Sequence, residues 1–437
     1  MSYRWRDYEK HNNITNIISL ATQRDGIQTI EAQLKEPILI SITGLDRPGI
    51  TSTITKVLAE FDINVLDIGQ SVIHDALSLG MLIQIPDSSA DEPTVKNAIQ
   101  KAIDELELTV RFVNISLESY ENWVGQQGKS RHIVSLLAKR ITAHQISCLS
   151  RIVANNGLNI DKITRLSGRV PLEAIGSDSQ ACVEFSLRGQ VADLPALRRE
   201  FLELADEIDV DIAYQENNVY RRNRRLVAFD MDSTLIQAEV IDELAKRAGV
   251  GKKVSEITER AMRGEIDFKE SFRQRVALLK GLPETALGEI AATLKLTDGT
   301  ERLISTLKKL GYKTVILSGG FTYFGRALQR RFGIDYVFAN ELEIEDGFVT
   351  GNVTGEIVDG ARKASLLASI AQHEGFSLEQ TIAVGDGAND LPMLSIAGLG
   401  IAFRAKPIVK ASAKQSLHTH GLDGILYLMG LSERETK

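Results

Sequence analysis

Three apolar stretches in the second half of the chain each end at a cluster of polar or small residues. They are RLVAF before Asp230, KTVIL before Ser318 and QTIAV before Gly385, and helical patterns separate them. Strands that alternate with helices pair in parallel, with helices on both faces of the sheet, and ligands bind beyond the carboxyl ends of the strands. The pattern therefore predicts an α/β domain with a Rossmann-like parallel sheet and a site at one edge.

Between the first and second of these strands lie about 80 residues with helical periodicity, many more than the dozen or so that one crossover connection needs. We therefore expect part of this segment, at about 240–298, to form a separate helical cap over the site. The whole α/β domain, cap included, is predicted to span residues 222–437.

The N-terminal half contains one order of patterns twice: strand, helix, strand, strand, helix, strand. Ile63-Asn64-Val65 at the first helix-to-strand junction matches Leu158-Asn159-Ile160 at the second. Such self-similarity indicates a tandem duplication, and the order is that of α+β ferredoxin-like modules. We place the modules at residues 36–118 and 130–218, after an N-terminal extension, residues 1–35, that carries no motif.

The composition is that of a globular protein, with 43% hydrophobic and 25% charged residues among 437. A net charge of -7 argues against a nucleic-acid-binding protein, because no broad positive field would attract phosphates. The basic cluster Arg221-Arg222-Asn223-Arg224-Arg225 is interpreted as a solvated linker. No apolar run approaches the ~20 residues of a membrane span, and the first residues lack the apolar core of a secretory signal, so we expect a cytoplasmic protein.

Cysteine and histidine supply no metal cluster. The two cysteines, Cys148 and Cys182, lie in apolar surroundings, which favours buried thiols in a reducing compartment. The pair His418 and His420 has one residue between its members and lies in a polar segment, where a surface turn is expected.

The motif FDMDSTLI places two carboxylates, Asp230 and Asp232, just after a buried strand. Alternation along an extended chain directs residues i and i+2 to the same side, so both can face one pocket. Two neighbouring carboxylates resist being ionised together, which suits a nucleophile beside a general acid. The alternative is an acidic turn in which Ser233 and Thr234 cap a helix.

Two further strand ends carry groups that suit a phosphate and a cation. The motif VGDGANDLPML contains Asp386 and Asp390, and hard oxygen ligands without His or Cys suit Mg²⁺. The motif ILSGGF offers Ser318 and exposed backbone N–H groups, which bind phosphate oxygens at a helix N-terminus. Lys363, in DGARKASLL, would add a positive charge. Each motif alone is also compatible with an ordinary turn, so the inference rests on their order and placement.

Together these motifs resemble the haloacid-dehalogenase superfamily of aspartate-nucleophile phosphatases, and more narrowly the phosphoserine phosphatases with N-terminal ACT domains. The likeness covers residue 226 to about residue 430 and includes FDMDSTLI, AMRGEIDFKESFRQRV, SGGF, AKPIVK and VGDGANDLPML. The resemblance implies that Asp230 attacks phosphorus and that Asp232 is the general acid and base. It further implies one Mg²⁺ held by Asp230, Asp386 and the backbone carbonyl of Met231, with Asp390 orienting the ligands. Asp232 is counted with the same metal site.

The same resemblance assigns the substrate contacts. Ser318, Gly319 and Lys363 would hold phosphoryl oxygens, and Asn389 would help to seat the phosphate or the attacking water. In the cap, Glu239 would meet the substrate ammonium. Arg275 would bind the substrate carboxylate through its bidentate fork, and Met262 and Phe268 would supply apolar walls. The set favours O-phosphoserine over a sugar phosphate.

The N-terminal modules resemble ACT domains, small regulatory units that commonly bind an amino acid. The likeness rests on the strand and helix order and on GLDRPGI, in the turn before the first helix. Asp46 and the backbone at Gly49 would suit the two charged ends of a zwitterion, whereas the second copy, AKRITAHQ, has neither residue in register. Ligand binding and a purely scaffolding role stay open for these modules.

The resemblance implies a Mg²⁺-dependent phosphoserine phosphatase that carries out the last step of serine synthesis, as a homodimer with an amino-acid effector such as serine. One alternative is a phosphotransferase, or a phosphatase acting on another small phospho-amino acid. The other is a non-enzymatic regulator that binds an amino acid. The complete set of Asp230, Asp232, Lys363 and Asp386 counts against this last alternative.

Overall fold

A computed structural model describes residues 35–174 and 180–436 of the chain. The predicted N-terminal extension lies outside this part except for Lys35. The chain divides into two compact units, of which the first ends at Gly128 and the second begins at Lys129. Within the described ranges, no helix is both long enough and apolar enough to cross a membrane.

The first unit contains an α+β module with an antiparallel sheet of order β2-β3-β1-β4. Alternate residues of the central strands are buried under two helices, as half-buried strands require. A further helix follows the module, in the segment expected to join the two copies. The elements are β1 Ile38–Leu45, α1 Ile50–Glu60, β2 Asn64–Ile73, β3 Ala76–Gln84, α2 Glu92–Glu105, β4 Thr109–Asn114 and α3 Leu117–Gly125.

The second unit opens with a copy of this module, and its sheet has the equivalent order β6-β7-β5-β8. The duplication extends to a local irregularity: the register shifts between Val65 and Asp67 in β2 and between Ile160 and Lys162 in β6, the matching positions of the two copies. The predicted ferredoxin-like modules are therefore confirmed. The elements are β5 Arg131–Ala138, α4 Ala143–Asn155, β6 Asn159–Arg165, β7 Ala181–Arg188, α5 Leu194–Glu207 and β8 Asp211–Glu216.

The α/β domain is built on a seven-stranded sheet of order β12-β11-β10-β9-β13-β14-β15, in which every pairing except β11 with β12 is parallel. The strand before Asp230 is central and pairs with the two other strands that end in polar clusters. The predicted fold class is confirmed. The elements are β9 Leu226–Phe229, α6 Val240–Arg247, α7 Gly251–Met262, α8 Phe268–Ala277, α9 Glu284–Thr293, α10 Thr300–Lys309, β10 Lys313–Phe321, α11 Thr322–Phe332, β11 Tyr336–Glu345, β12 Phe348–Thr354, α12 Gly360–His373, β13 Thr381–Gly385, α13 Leu391–Ile396, β14 Leu399–Phe403, α14 Pro407–Ser412, β15 Gln415–Leu417, α15 Gly424–Leu428 and α16 Glu433–Thr436.

Five helices lie between β9 and β10, and the first four, α6 to α9, make up the part that was expected as a cap. Its two connections to the sheet are tied to each other, because Ile236 and Leu296 form an antiparallel bridge and the Gln237 N–H donates to the Lys295 carbonyl at 2.9 Å. We call these paired connections the cap hinge.

The basic cluster before β9 is not a solvated linker, so that expectation is wrong. Arg221 is only 2% exposed and forms an ion pair with Glu184 of β7, and Arg224 is 5% exposed and donates to Gln215 Oε1 of β8 at 3.1 Å. Gly430 leaves room for the Arg221 guanidinium, because a Cβ there would lie 2.9 Å from Nη1. The cluster therefore fastens the second module to the α/β domain.

The histidine pair is a second correction. His418 is exposed as expected, but His420 is buried at 1% exposure and its ring lies 4.0 Å from the buried Asp211 of β8. The segment is polar because it packs against polar groups of the second module, and not because it faces water.

The Arg221–Glu184 pair generates a stability prediction. Arg221→Ala should lower the free energy of unfolding of the second unit by about 3–5 kcal/mol, because it leaves a buried carboxylate without its partner. Urea denaturation followed by far-UV circular dichroism measures the change. The exposed neighbour is the matched control, and Arg222→Ala should change the value by less than about 0.5 kcal/mol. Equal losses in both variants would contradict the structural role of the ion pair.

Candidate active site

The loop that follows β9 positions both carboxylates of FDMDSTLI. The strand ends at Phe229, and Asp230 and Asp232 keep extended backbone conformations. Ser233 then turns the chain with a φ of 56°, in the left-handed region that a side chain adopts at a cost. The Met231 N–H donates to Asp230 Oδ1 at 2.7 Å and fixes that side chain. Both acids therefore stand at the carboxyl edge of the sheet.

Lys363 bridges the two acidic motifs, FDMDSTLI and VGDGANDLPML. Its ammonium lies 2.8 Å from Asp230 Oδ2 and 2.7 Å from Asp390 Oδ1, and the side chain is completely buried. Burial alone would lower the lysine pKa, but the two carboxylates outweigh it and raise the pKa. The lysine therefore keeps its charge at neutral pH and lies as a cation beside Asp230.

A group of three carboxylates, from Asp230, Asp386 and Asp390, offers oxygen atoms that all lie within 4.8 Å of one another. Burial, together with the charges of Asp230 and Asp390, raises the pKa of Asp386 to about 7. Thr234 Oγ1 donates to Asp386 Oδ1 at 3.1 Å. Three acids held this closely repel one another unless a cation lies between them, and an all-oxygen donor set fits Mg²⁺.

Asp232, the fourth predicted ligand, is not part of this group. Its side chain faces the SGG turn instead, and a Cβ on Gly320 would lie 2.6 Å from its Oδ2. Its Oδ1 is buried without a hydrogen-bond partner in the part of the chain that the structure describes. Burial first, and then the charges of Glu239 and Asp230, raise its pKa well above the usual value. The protonated form of Asp232 is therefore favoured.

Two glycine-containing turns, SGG at residues 318–320 and GDG at residues 385–387, let side chains approach the backbone closely. Ser318 Oγ accepts from the Gly320 N–H at 3.0 Å, within the last residues of β10, where its register with β11 shifts. In the other turn, Asp390 Oδ2 accepts from the Gly387 N–H at 2.9 Å, and a Cβ on Gly385 would lie 2.4 Å from that oxygen. Neither turn can accept a larger residue at these positions. Asn389 lies half-buried on the same turn as Asp390.

Three residues predicted to contact the substrate lie on or directly before helices of the cap. Glu239 directly precedes α6, and its side chain accepts from Ser233 Oγ at 2.7 Å, so it lies next to the loop that carries Asp230 and Asp232. Arg275 lies half-buried on α8, where its Nε donates to the Ser271 carbonyl at 3.4 Å. Phe268 lies close to the SGG turn, since a Cβ placed on Gly319 would be 3.5 Å from the Phe268 Cζ.

The predicted effector residues lie in the first unit, at the start of α1. Asp46 is exposed and its N–H donates to the Asp75 carbonyl at 2.7 Å. Gly49 has a φ of 98° and precedes the first residue of the helix. The helix begins at Ile50, directly after Gly49.

Asn340 is a site residue that sequence reasoning missed. Its side chain lies on β11, 2% exposed, where Nδ2 donates to the Gly319 carbonyl at 2.8 Å and Oδ1 accepts from the Val358 N–H at 2.9 Å. The Asn340 amide thus holds the SGG turn against the segment that leads to α12, the helix of Lys363. No local motif predicts the role of Asn340, because its contact joins two different strands.

The chain matches the haloacid dehalogenase-like hydrolase family over residues 227–395 and ACT domains over residues 36–113 and 130–215. A haloacid dehalogenase family hydrolase from Salmonella enterica has a similar structure, with a TM-score of 0.58 and 31% identity over 68% of this chain and 98% of that one. The fold and site define a hydrolase of this class that carries two ACT domains.

Two curated relatives narrow the class. The phosphoserine phosphatase SerB2 of Mycobacterium tuberculosis is 40% identical over 92% of this chain and 95% of its own. The phosphoserine phosphatase of Streptomyces coelicolor is 40% identical over 92% and 93%. A probable phosphoserine phosphatase from Vibrio cholerae, solved without ligand, superposes with a TM-score of 0.55 at 35% identity, over 70% of this chain and 87% of that one. The chain belongs to the phosphoserine phosphatase family.

Asn340 generates a prediction about phosphate binding. Asn340→Asp keeps the acceptor for the Val358 N–H but replaces the amide donor with a carboxylate oxygen. That oxygen would repel the Gly319 carbonyl, so the SGG turn should shift. We expect kcat/KM for p-nitrophenyl phosphate to fall about 10- to 100-fold, and the inhibition constant of inorganic phosphate to rise in parallel.

Asn352→Asp is the matched control, since exposed Asn352 also donates its amide, to Glu343 Oε2 at 3.0 Å on the β11–β12 hairpin. It should leave both constants near the parent values. A fall in kcat with an unchanged phosphate constant would mean that Asn340 only maintains the fold.

Proposed function

We propose that the protein is a Mg²⁺-dependent phosphatase that hydrolyses O-phospho-L-serine to L-serine and phosphate, the last step of serine biosynthesis. One observation carries the proposal: the buried Lys363 ammonium lies 2.8 Å from Asp230, while the pKa of the neighbouring Asp232 is raised well above its usual value. An aspartate oxygen beside a buried cation and a second aspartate in its acid form supply the nucleophile and the acid that phosphate-ester cleavage needs. The two free, buried cysteines suit a cytoplasmic enzyme.

The first half of the reaction would transfer the phosphoryl group to the protein. An oxygen of Asp230 attacks phosphorus, the bond from phosphorus to the serine oxygen breaks, and Asp232 gives its proton to that oxygen. Free serine and an aspartyl phosphate result. In the second half, Asp232 takes a proton from water as the water oxygen attacks phosphorus, which releases phosphate and restores Asp230.

A magnesium ion would be held by Asp230, Asp386 and Asp390, whose oxygens converge. When bound, the cation neutralises phosphate charge and so permits an anion to approach an anion. The remaining phosphate contacts come from the chain: the Lys363 ammonium, the Ser318 hydroxyl and the Gly319 N–H. Asn389, on the turn of Asp390, would help to seat the phosphate or the water.

The cap would select the substrate. Glu239 borders the loop of Asp230 and Asp232 and suits the serine ammonium. Burial and then nearby acids raise its pKa, and a bound ammonium would lower that pKa again. Arg275 provides the guanidinium for the carboxylate. Both charged ends of the substrate would then be matched, as in a phosphorylated amino acid.

The first alternative, a phosphotransferase, differs only in the acceptor of the second half-reaction. Product analysis with a second alcohol such as homoserine present distinguishes it, since a transferase would yield a phosphorylated acceptor in place of free phosphate. The second alternative, a non-enzymatic regulator, is disfavoured because Asp230, Asp232, Asp386 and Lys363 stand together in one site.

The ACT domains are proposed to bind an amino-acid effector such as serine or to support a homodimer. The exposed turn at Asp46 and Gly49 supplies a carboxylate and a helix start for the ligand. Calorimetric titration of the full chain with serine and glycine tests this, with Asp46→Asn as the variant. No heat with either amino acid would remove the effector role.

The experiment that tests the substrate assignment compares phosphoserine, phosphothreonine, a sugar phosphate and O-phosphoethanolamine, which lacks the carboxylate. Phosphoserine should have the highest kcat/KM. Arg275→Ala should lower that value about 10- to 100-fold, as expected for a lost hydrogen bond of about 1.5–3 kcal/mol to a charged group, and should leave O-phosphoethanolamine nearly unchanged.

Arg273→Ala is the matched control, because Arg273 lies two residues earlier on the same helix and is exposed. It should not change either substrate's constants. Equal losses on both substrates in Arg275→Ala, or a preference for the sugar phosphate, would contradict the assignment.

A further inference from the structure

A cavity of about 420 Å³ lies between the second ACT domain and the catalytic domain, outside the active site. One wall is the end of α5 and the turn after it, and the other is α14 with the segment after β15. The volume falls within the range of about 300–1,000 Å³ that small-molecule sites occupy. Both walls belong to the second unit, which the buried Arg221–Glu184 pair holds together.

The cavity combines an apolar surface with an excess of negative charge. Leu202, Val210 and Pro407 contribute aliphatic surface. At the rim, Asp206 of α5 is neutralised by an ion pair with Lys410 of α14.

Asp209 lines the same cavity at its solvent-exposed edge, and its carboxylate has no hydrogen bond or ion pair to other residues within 35–174 and 180–436. An aliphatic wall beside one uncompensated carboxylate fits a compact aliphatic molecule with an ammonium group.

The wall opposite α5 is anchored by a buried aspartate of the ACT domain. The N–H groups of His418 and Thr419 donate to the two oxygens of Asp211, at 2.7 and 2.8 Å, and the Thr419 hydroxyl donates to Oδ2 at 2.6 Å. Asp211 is 4% exposed. A ligand that moves residues 418 and 419 therefore strains three hydrogen bonds to the ACT domain.

The same segment continues to the cap hinge. The Leu422 N–H donates to the Asp298 carbonyl at 2.8 Å, and the next residue back, Thr297, donates its N–H to the Leu235 carbonyl at 3.0 Å. Leu235 ends the loop that carries Asp230 and Asp232, and Thr297 directly follows the bridge between Ile236 and Leu296. The cavity wall and the cap hinge are thus parts of one hydrogen-bonded strip.

We propose that this cavity binds a small molecule with a primary ammonium group and a compact aliphatic body, and that its occupation changes catalysis through the cap hinge. The ammonium would pair with Asp209 and the body would cover Leu202 and Val210. The ligand could be a free amine or an amino acid with an aliphatic side chain. The kinetic half of the proposal rests on the proposed phosphatase function, whereas the binding half does not.

Three probes of one carbon skeleton test the binding half: isopentylamine, L-leucine and 4-methylpentanoate, titrated calorimetrically into the full chain. Isopentylamine should bind and 4-methylpentanoate should not, and L-leucine shows whether a carboxylate is also accepted. Asp209→Asn should weaken binding at least about 10-fold, the order expected for a lost charge-assisted contact. Asn suits this position because Asp209 has a φ of 50°.

Asp62→Asn is the matched control, because Asp62 has a φ of 52° at an exposed position of the first unit. It should bind isopentylamine like the parent. Ala411→Phe, which fills the cavity from the α14 side, should abolish binding.

Several outcomes would overturn the proposal: no heat with isopentylamine or L-leucine, equal binding of 4-methylpentanoate, or binding that survives both Asp209→Asn and Ala411→Phe. Loss of leucine binding in Asp46→Asn would assign the ligand to the turn before α1 instead. For the kinetic half, isopentylamine should change KM for phosphoserine in the parent and not in Ala411→Phe. Binding without any kinetic change would contradict the coupling, and absence of phosphatase activity would overturn the proposed function while the binding results stand.

Discussion

The buried ammonium of Lys363 is the interaction on which the active site depends. It contacts Asp230 and Asp390 at 2.8 and 2.7 Å in a place that water does not reach. A buried charge without a partner is costly, so the lysine and the two carboxylates must fold into place together. Asp232 belongs to the same loop as Asp230, and burial together with the charges of Glu239 and Asp230 raises its pKa and favours its protonated form.

The parallel sheet explains why residues so far apart in sequence meet. β9 lies between β10 and β13, so the loops after these three strands emerge at one edge, next to each other. Glycines at 320 and 385 then let the acids approach the backbone more closely than any side chain would permit. The cap adds Glu239 and Arg275 over this edge, and its hinge reaches back to the segment that contacts the second ACT domain.

Patterns that depend on local periodicity could be predicted from the sequence. The two modules, the parallel sheet and the acids after the strand of Asp230 follow from alternation and strand ends. Arg221, His420 and Asn340 could not be placed this way, because distant partners decide their burial: Glu184, Asp211 and Gly319 respectively. The resemblance counted Asp232 with the metal site, whereas the structure places its carboxylate beside Gly320 of the SGG turn.

The covalent role of Asp230 is the claim on which the mechanism rests, and rapid acid quenching of the full chain with phosphoserine tests it most directly. After reductive trapping with borohydride, peptide mass spectrometry should find the modified aspartate at position 230 in the parent. Asp346→Asn, which alters an exposed aspartate on the β11–β12 hairpin, should give the same result. Turnover with an unmodified Asp230, or trapping at another residue, would contradict the account.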